Sequence, residues 1–531
     1  MRIKQILQSA FLGSVLSAAG IAYGQTDSNN ALLSILVRKG ILTQDEANQV
    51  QKEAVAEAAK AAAPAPAPAV APSAAPAPAG SGSVASTANG FNAKPAGKSP
   101  LYFKIGIAEF SPLGFMDFTT VYRSALNGGD IGSSFGSIPY SNVAADHISE
   151  TRFSAKNSRI GLRIDSKIGD TKVLGYLETD FLGQTANNIN VASNSDVLRM
   201  RVYFVDVRNG PWEFLAGQDW SMMTPNRKGL SPIPGDIFYT QNVDVNYQVG
   251  LIWGRTPQVR AVYHATDELT FGVSLENPDQ YVGSAVTLPT TAGFTATQLD
   301  TGAALPATDL PTANELPDTI VKAAYDTKIG DLPVHLDAAG LVRYFKLNTF
   351  TPTIDADSST TAVSGSFNAL VNVMPNLVLI GNVFGGKGGG RYLSTGLGPD
   401  LIVKPADANG VYSTSAVSAY AYLGGAEWDV VPTTKVYAYY GSANYGSKFA
   451  QLPSGAYVGY GFPGSANTNN KQIEEYTLGL TQILWKDATY GDLKLLMQAS
   501  YLDRKPWFVA AGAPAKAHLG MGYIDVRYDL P

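Results

Sequence analysis

Leu269-Thr270-Phe271-Gly272-Val273-Ser274-Leu275-Glu276 is an alternating stretch: extended, it sets Leu269, Phe271, Val273 and Leu275 on one face and Thr270, Gly272, Ser274 and Glu276 on the other. The reading extends outward from there. Ile524, Val526, Tyr528 and Leu530 alternate with Tyr523, Asp525, Arg527 and Asp529, and Leu198, Met200, Val202 and Phe204 alternate with Arg199, Arg201 and Tyr203. An apolar face of this kind is buried either in a soluble core or in lipid. In the second case the polar face lines an enclosed lumen.

Connection lengths choose between the two. Tight links fall near 167–170, 209–211, 266–268, 328–333, 374–376, 430–433 and 485–491. Longer, polar, glycine-rich links fall near 124–150, 183–197, 221–255, 277–316, 347–360, 385–415, 444–470 and 503–516. The two kinds alternate, and a soluble sandwich has no reason to sort its loops by length onto opposite ends. The expected fold is all-β: a sixteen-stranded antiparallel transmembrane β-barrel over 101–531, with lipid of the outer membrane around it. No apolar run beyond the N-terminus is long enough for a membrane helix. Gly at 53 residues, Tyr at 27 and charged residues at 16% suit twisted strands with aromatic belts.

Upstream, Arg2 and Lys4 precede an apolar stretch from Ile6 to Ile21, and Ala22-Tyr23-Gly24 supplies small residues for cleavage, so 1–24 reads as a signal peptide and the mature chain as starting near Gln25. A short membrane anchor is the other reading of this stretch, against which stand Ser9, Ser14 and Ser17. Residues 25–62 contain two short helices, with Leu32, Leu33, Leu36 and Val37 on one face, Gly40 at a C-cap and Thr43-Gln44-Asp45-Glu46 opening the second. This segment either stands alone or self-associates or touches a periplasmic component such as peptidoglycan. Residues 63–100, rich in Pro and Ala, form a semi-rigid linker. Export of this kind places the chain in a Gram-negative outer membrane with 25–62 in the periplasm.

Several function classes are disfavoured. The net charge of −5 is spread without a basic block, which argues against nucleic acid, and the chain has no cysteine, which removes thiol chemistry and Cys-type metal sites. Gly132-Ser133-Ser134-Phe135-Gly136 matches G-x-S-x-G but lies in a long link without the strand-turn-helix setting of a nucleophile elbow. Gly381 to Lys387 fits a phosphate loop only until Gly388 stands where Ser or Thr would hold magnesium. His147, His264, His335 and His518 show no ligand spacing. No catalytic residue, metal or cofactor is expected.

The lumen carries the chemistry. With apolar residues facing lipid, Arg159, Arg163, Arg199, Arg201, Arg260 and Arg343 point inward, as does His264, and Asp165, Glu178, Asp180, Glu213 and Glu276 share the space. Guanidinium groups bind carboxylates or phosphates bidentately at any relevant pH, so these arginines are candidates to line the pore and bind solutes. Pairing with the lumen acids is the equally available alternative. The link 221–254 follows the fifth strand; folded inward it would place Arg227, Lys228 and Asp236 at a constriction, and folded outward they are solvated surface charges.

Several stretches resemble the DcaP-like outer-membrane porins, related to the phosphate-selective porins. They are Gly114-Phe115-Met116-Asp117-Phe118 with Arg123, Ser158 to Arg163, Gly175 with Glu178 to Phe181, Leu198 to Arg201, Ala216 to Ser221, Arg255 to Arg260, Gly388 to Tyr392 and Tyr490 to Leu493. They are scattered over most of 101–531, and their order carries the likeness. The resemblance implies a trimeric sixteen-stranded porin with a helical periplasmic extension and a channel favouring small anions such as dicarboxylates. Two features depart from it: the chain finishes Tyr528-Asp529-Leu530-Pro531 with no terminal aromatic, and the Pro-Ala linker interrupts any continuous coiled coil. The competing expectation is a structural or adhesive barrel with an occluded lumen.

Overall fold

The computed structural model divides into two units, 1–80 and 81–531. In the first it describes Arg38, Asp45 and Lys52, all helical and exposed; in the second it describes 99–127, 129–183, 197–238, 240–289, 293–302, 312, 314–393 and 397–531. The signal peptide, the linker up to residue 98 and the rest of the helical segment lie outside the described residues.

One antiparallel sheet holds the second unit together. Its wall strands are β1 Ala108–Arg123, β2 Arg159–Ile168, β3 Thr171–Gly183, β4 Val197–Asn209, β5 Trp212–Trp220, β6 Arg255–His264, β7 Leu269–Glu276 and β8 Asp318–Ile329. They continue with β9 Leu332–Thr351, β10 Ile354–Met374, β11 Leu377–Lys387, β12 Ser418–Val431, β13 Thr434–Tyr445, β14 Asn470–Asp487, β15 Gly491–Pro506 and β16 Ala517–Asp529. Each pairs with its neighbours in sequence, and β1 pairs with β16 from Phe115–Asp529 to Arg123–Met521, which closes sixteen strands into a barrel. Two short strands, Phe103–Ile105 and Glu150–Ser154, prolong the pairing along β1.

Burial in this barrel is inverted relative to a soluble sheet. Met116 (68% exposed), Ile160 (58%), Phe214 (54%) and Val321 (57%) face outward, whereas Arg159, Glu178, Asp180, Asp219 and Asp337 are buried inside. Such a surface is stable against hydrocarbon rather than water. Period-two alternation puts it there, because successive side chains leave a strand on opposite faces.

Two local departures from strict alternation matter. A β-bulge between β3 and β4 sets Glu178 opposite Val202 and Thr179 opposite Met200, so Arg201 is the extra residue. Leu198 and Met200 face lipid as the alternation predicts, but beyond the bulge Val202 and Phe204 are buried inside and Tyr203 and Val205 turn outward. The predicted long link at 347–360 is instead strand: β9 and β10, of 20 and 21 residues, pair without a break to Thr351–Ile354. The other predicted links are found.

Several long connections fold inward. Residues 221–254, 277–302 and 388–417 contribute Met222, Met223, Val249, Ile252, Val282, Tyr392, Leu393 and Leu401 to a shared apolar core inside the barrel.

Candidate functional site

Adjacent strands present oppositely charged side chains to the lumen at matched heights. Arg159 on β2 stands opposite Asp180 on β3, and Asp180 opposite Arg199 on β4. Arg159 Nη1 lies 3.3 Å from Glu178 Oε1. Asp180 accepts from Arg199 Nε at 2.9 Å and Nη2 at 2.7 Å, and from Arg201 Nη1 at 2.8 Å. The bulge turns Arg201 into this group, where its Nε also donates to Glu178. Arg199 remains the more open of the set, with its side chain 36% exposed.

A further guanidinium joins them. Arg255, at the start of β6, lies with its guanidinium carbon 5.3 Å from the Trp220 ring centre, and Arg201 sits 6.0 Å from the same ring. Its Nε and Nη1 are buried with no hydrogen-bond partner. Alternation counted back from Arg260 places Arg255 on the lipid face, which is why strand parity misses it; its only sequence signal is the motif Arg255 to Arg260. Arg159, Arg199, Arg201 and Arg255 therefore outnumber Glu178 and Asp180 at one place, and such an excess attracts an anion.

The other predicted arginines are differently engaged. Arg163 forms a bidentate pair with Asp165 at 2.7 and 2.8 Å. Arg260 reaches Asp219 at 3.2 Å and the Trp220 carbonyl at 2.8 Å. Arg343 is sealed between Asp318 at 2.9 Å and Asp400 at 2.5 Å, all three side chains being fully buried. Arg391, on the inward connection 388–417, adds a bond to Asp318 at 2.7 Å. His264 meets Glu213 at 2.8 Å.

Residues 221–254 cross the lumen and are tied to wall strands around it. Asn226 N donates to Asp337 at 2.9 Å and Gly229 N to Asp326 at 2.8 Å. Arg227 pairs with Glu427 on β12 at 2.6 and 3.1 Å, and its guanidinium lies over Phe238. Farther on, Val243 N donates to Gln498 and Val249 N to Glu475. Gly441 on β13 permits this close approach, since a Cβ there would collide with the Val249 carbonyl. Burial pushes the Asp244 carboxyl up, while bonds from Asn246 N and the Ser133 side chain, the nearby Arg123 charge and the Tyr523 hydroxyl oppose the rise. Tyr247, among the described residues the one non-glycine with positive φ (62°), packs edge-on against Trp220 and Trp253.

At the short-turn end a cavity of about 1290 Å³ opens below this loop. Lys228 and Asp236 line it from the loop side, and Arg163, Lys172, Arg208, Glu213 and His264 from the wall. Of the three loop candidates, Arg227 is thus held against the far wall, whereas Lys228 and Asp236 border open space.

No family model matches the chain, and no curated relative does. Among solved structures it is similar to the outer membrane channel DcaP of Acinetobacter baumannii at 18% identity and a TM-score of 0.57, over 80% of this chain and 99% of that one. OprB of Pseudomonas putida follows at 11% identity and a TM-score of 0.44, over 79% and 94% of the two chains. An anion-selective porin from Comamonas acidovorans shows 14% identity and a TM-score of 0.42, over 80% and 99%. The likeness to DcaP shows that the chain, a sixteen-stranded barrel, has the fold of that outer-membrane channel, and the DcaP-like resemblance in its sequence holds at the level of structure.

Proposed function

We propose that this chain is an outer-membrane porin through which small solutes diffuse passively, that it prefers anions of the dicarboxylate or phosphate-like class, and that it catalyses no reaction. The observation that carries this reading is the guanidinium excess of Arg159, Arg199, Arg201 and Arg255 over Glu178 and Asp180, with two buried donors of Arg255 unused. Arg199 is the open, solute-facing member of the group, Arg255 adds its charge from the buried position beside Trp220, and Arg163, Lys228 and Asp236 border the route at the short-turn end. Arg227, Arg260 and Arg343 serve this function by fixing the inserted loops and the wall.

The proposal includes a homotrimer, as the resemblance implies, and a periplasmic place for residues 25–62, with contact to a periplasmic component or peptidoglycan through residues 30–62. The mass of the detergent-solubilised complex and binding to purified sacculi test these two points.

The test of selectivity is a salt-gradient reversal potential across planar bilayers. Anion preference is expected, and Arg199→Ala with Arg201→Ala is expected to lower the anion-to-cation permeability ratio by roughly threefold or more. Cation preference in the unmodified channel would reject the reading. A barrel with an occluded lumen is the competing reading, favoured by the apolar core that the inward connections share. Absence of any steady current would establish it.

A further inference from the structure

We propose that His335 is a pH-sensitive latch on the inserted loop 221–254, closed when the ring is protonated and released when it is neutral. This inference rests on the inward course of the loop and is independent of which solute passes.

His335 faces the lumen from β9 between two carboxylates. Its Nδ1 is 2.8 Å from Asp326 Oδ1 on β8, and its Nε2 is 3.2 Å from Asp337 Oδ2 on its own strand. A carboxylate only accepts hydrogen bonds, so both contacts are bonds only when both ring nitrogens carry protons. A neutral imidazole has one donor and one lone pair, and it must set that lone pair against a carboxylate oxygen.

The same two carboxylates hold the loop. Asp337 accepts the backbone N–H of Asn226, and Asp326 accepts that of Gly229. The groups facing His335 are unequal in their other support. Asp337 is buried and also has Lys322 Nζ from β8 at 3.4 Å and Asn368 Nδ2 from β10 at 3.2 Å. Lys322 in turn donates to the Thr224 carbonyl and to Asn226 Oδ1, each at 2.8 Å. Asp326, by contrast, is 33% exposed and borders the cavity with Lys228 and Glu268. Arg227 is committed to Glu427 and does not compensate.

With the ring charged, two cations face two anions. With it neutral, Lys322 still answers Asp337, Asp326 loses the charge of the ring, and one lone pair opposes one of the two carboxylates. Asp326 is the partner able to turn to water, and doing so drops the Gly229 N–H. Asn226 stays bound through Asp337, so release is confined to the stretch from Gly229 that borders the cavity. The latch therefore holds at low pH and opens as pH rises through the titration of His335.

The chain has no cysteine, so Ser231→Cys places a unique thiol in the released stretch. Labelling by a charged thiol reagent is measured on the full-length protein in detergent between pH 5.5 and 9, and each rate is divided by the thiolate fraction. We expect the corrected rate to rise about fivefold with pH, the equivalent of one ordinary hydrogen bond. The rise is expected to vanish in His335→Gln. It is also expected to vanish in Asp326→Asn, whose amide can donate to a neutral ring while its oxygen still accepts from Gly229. His264→Gln, which removes the histidine that lines the cavity, is expected to keep the rise. A flat profile in the parent protein, a rise that persists in both His335→Gln and Asp326→Asn, or one abolished by His264→Gln would overturn the proposal. Should His335→Gln fail to assemble, Asp326→Asn carries the test.

Discussion

Arg201 and Arg255 share one indole but not one environment. Arg201 answers two carboxylates, Glu178 and Asp180, whereas Arg255 keeps two buried N–H groups without acceptors. An unmade buried hydrogen bond costs about 1–3 kcal/mol, so Arg255→Met is expected to raise thermal stability in detergent while weakening anion preference. Arg201→Met removes a cation from a buried cluster and is expected to destabilise by about 3 kcal/mol. Thermal unfolding followed by circular dichroism, combined with reversal potentials, checks both. Similar destabilisation by the two variants would mean that the partnerless donors of Arg255 impose no cost. A residue that weakens the fold and strengthens the function is what a binding position looks like from the side of stability.

Among the elements, the β9–β10 hairpin shows how a long strand survives outside the main sheet. Pairing between β8 and β9 stops at Thr319–Val342, so from Lys346 onward one edge of β9 lacks a strand neighbour. Inward connections cap it: Gln280 Oε1 accepts Lys346 N at 2.6 Å, and Gln298 both accepts Asn348 N at 2.8 Å and donates to its carbonyl at 3.0 Å. Gly293 O takes the Phe350 N–H at 2.8 Å. Edges left open template aggregation, and side-chain capping removes that hazard. Gln298→Ala is expected to cost about 1–2 kcal/mol locally and to speed amide exchange at Asn348 by roughly tenfold, with β1 and β16 unaffected. Unchanged protection at Asn348 would show that the cap is dispensable.

The same hairpin marks where the sequence stops being readable. Thr349-Phe350-Thr351-Pro352-Thr353 reads as a loop because Pro and polar residues punctuate strands, yet Thr and Ser are good strand residues once an edge is supplied. Strand parity correctly turns Arg159, Arg163, Arg199 and Arg260 inward, because the two-residue period is a property of the backbone. It misplaces Val202 and Phe204, since a bulge is a pairing irregularity with no composition of its own. It also says nothing of Glu427 as the partner of Arg227, because 200 residues separate them and only the path of the inserted loop joins them.

For the molecule as a whole, closure of the barrel is the strand pairing of longest range among the described residues. The β1–β16 seam joins residues about 400 apart, and such contacts form only after the chain between them has been confined. Buried arginines tie it at both ends. Arg123 bonds to Glu150 at 3.0 Å and to the Tyr523 hydroxyl at 3.3 Å. Arg527 holds Asp117 at 2.5 and 2.8 Å and Asp525 at 2.9 Å, and it lies 4.1 Å from the centre of the Phe115 ring. Asp117 and Asp525 are both fully buried, so Arg527 is the charge that allows them to coexist. Arg527→Gln leaves two carboxylates facing each other across the seam, with an expected loss of about 3–5 kcal/mol. Asp525→Asn leaves the Asp117–Arg527 pair intact and is expected to cost a fraction of that. The temperature at which the compact barrel converts to the unfolded band in detergent electrophoresis ranks the two. If Asp525→Asn lowers it as far as Arg527→Gln, the seam depends on the hydrogen-bond ladder rather than on this ion cluster. The expected order instead makes one arginine the condition for closing the wall that holds every charge in the lumen in place.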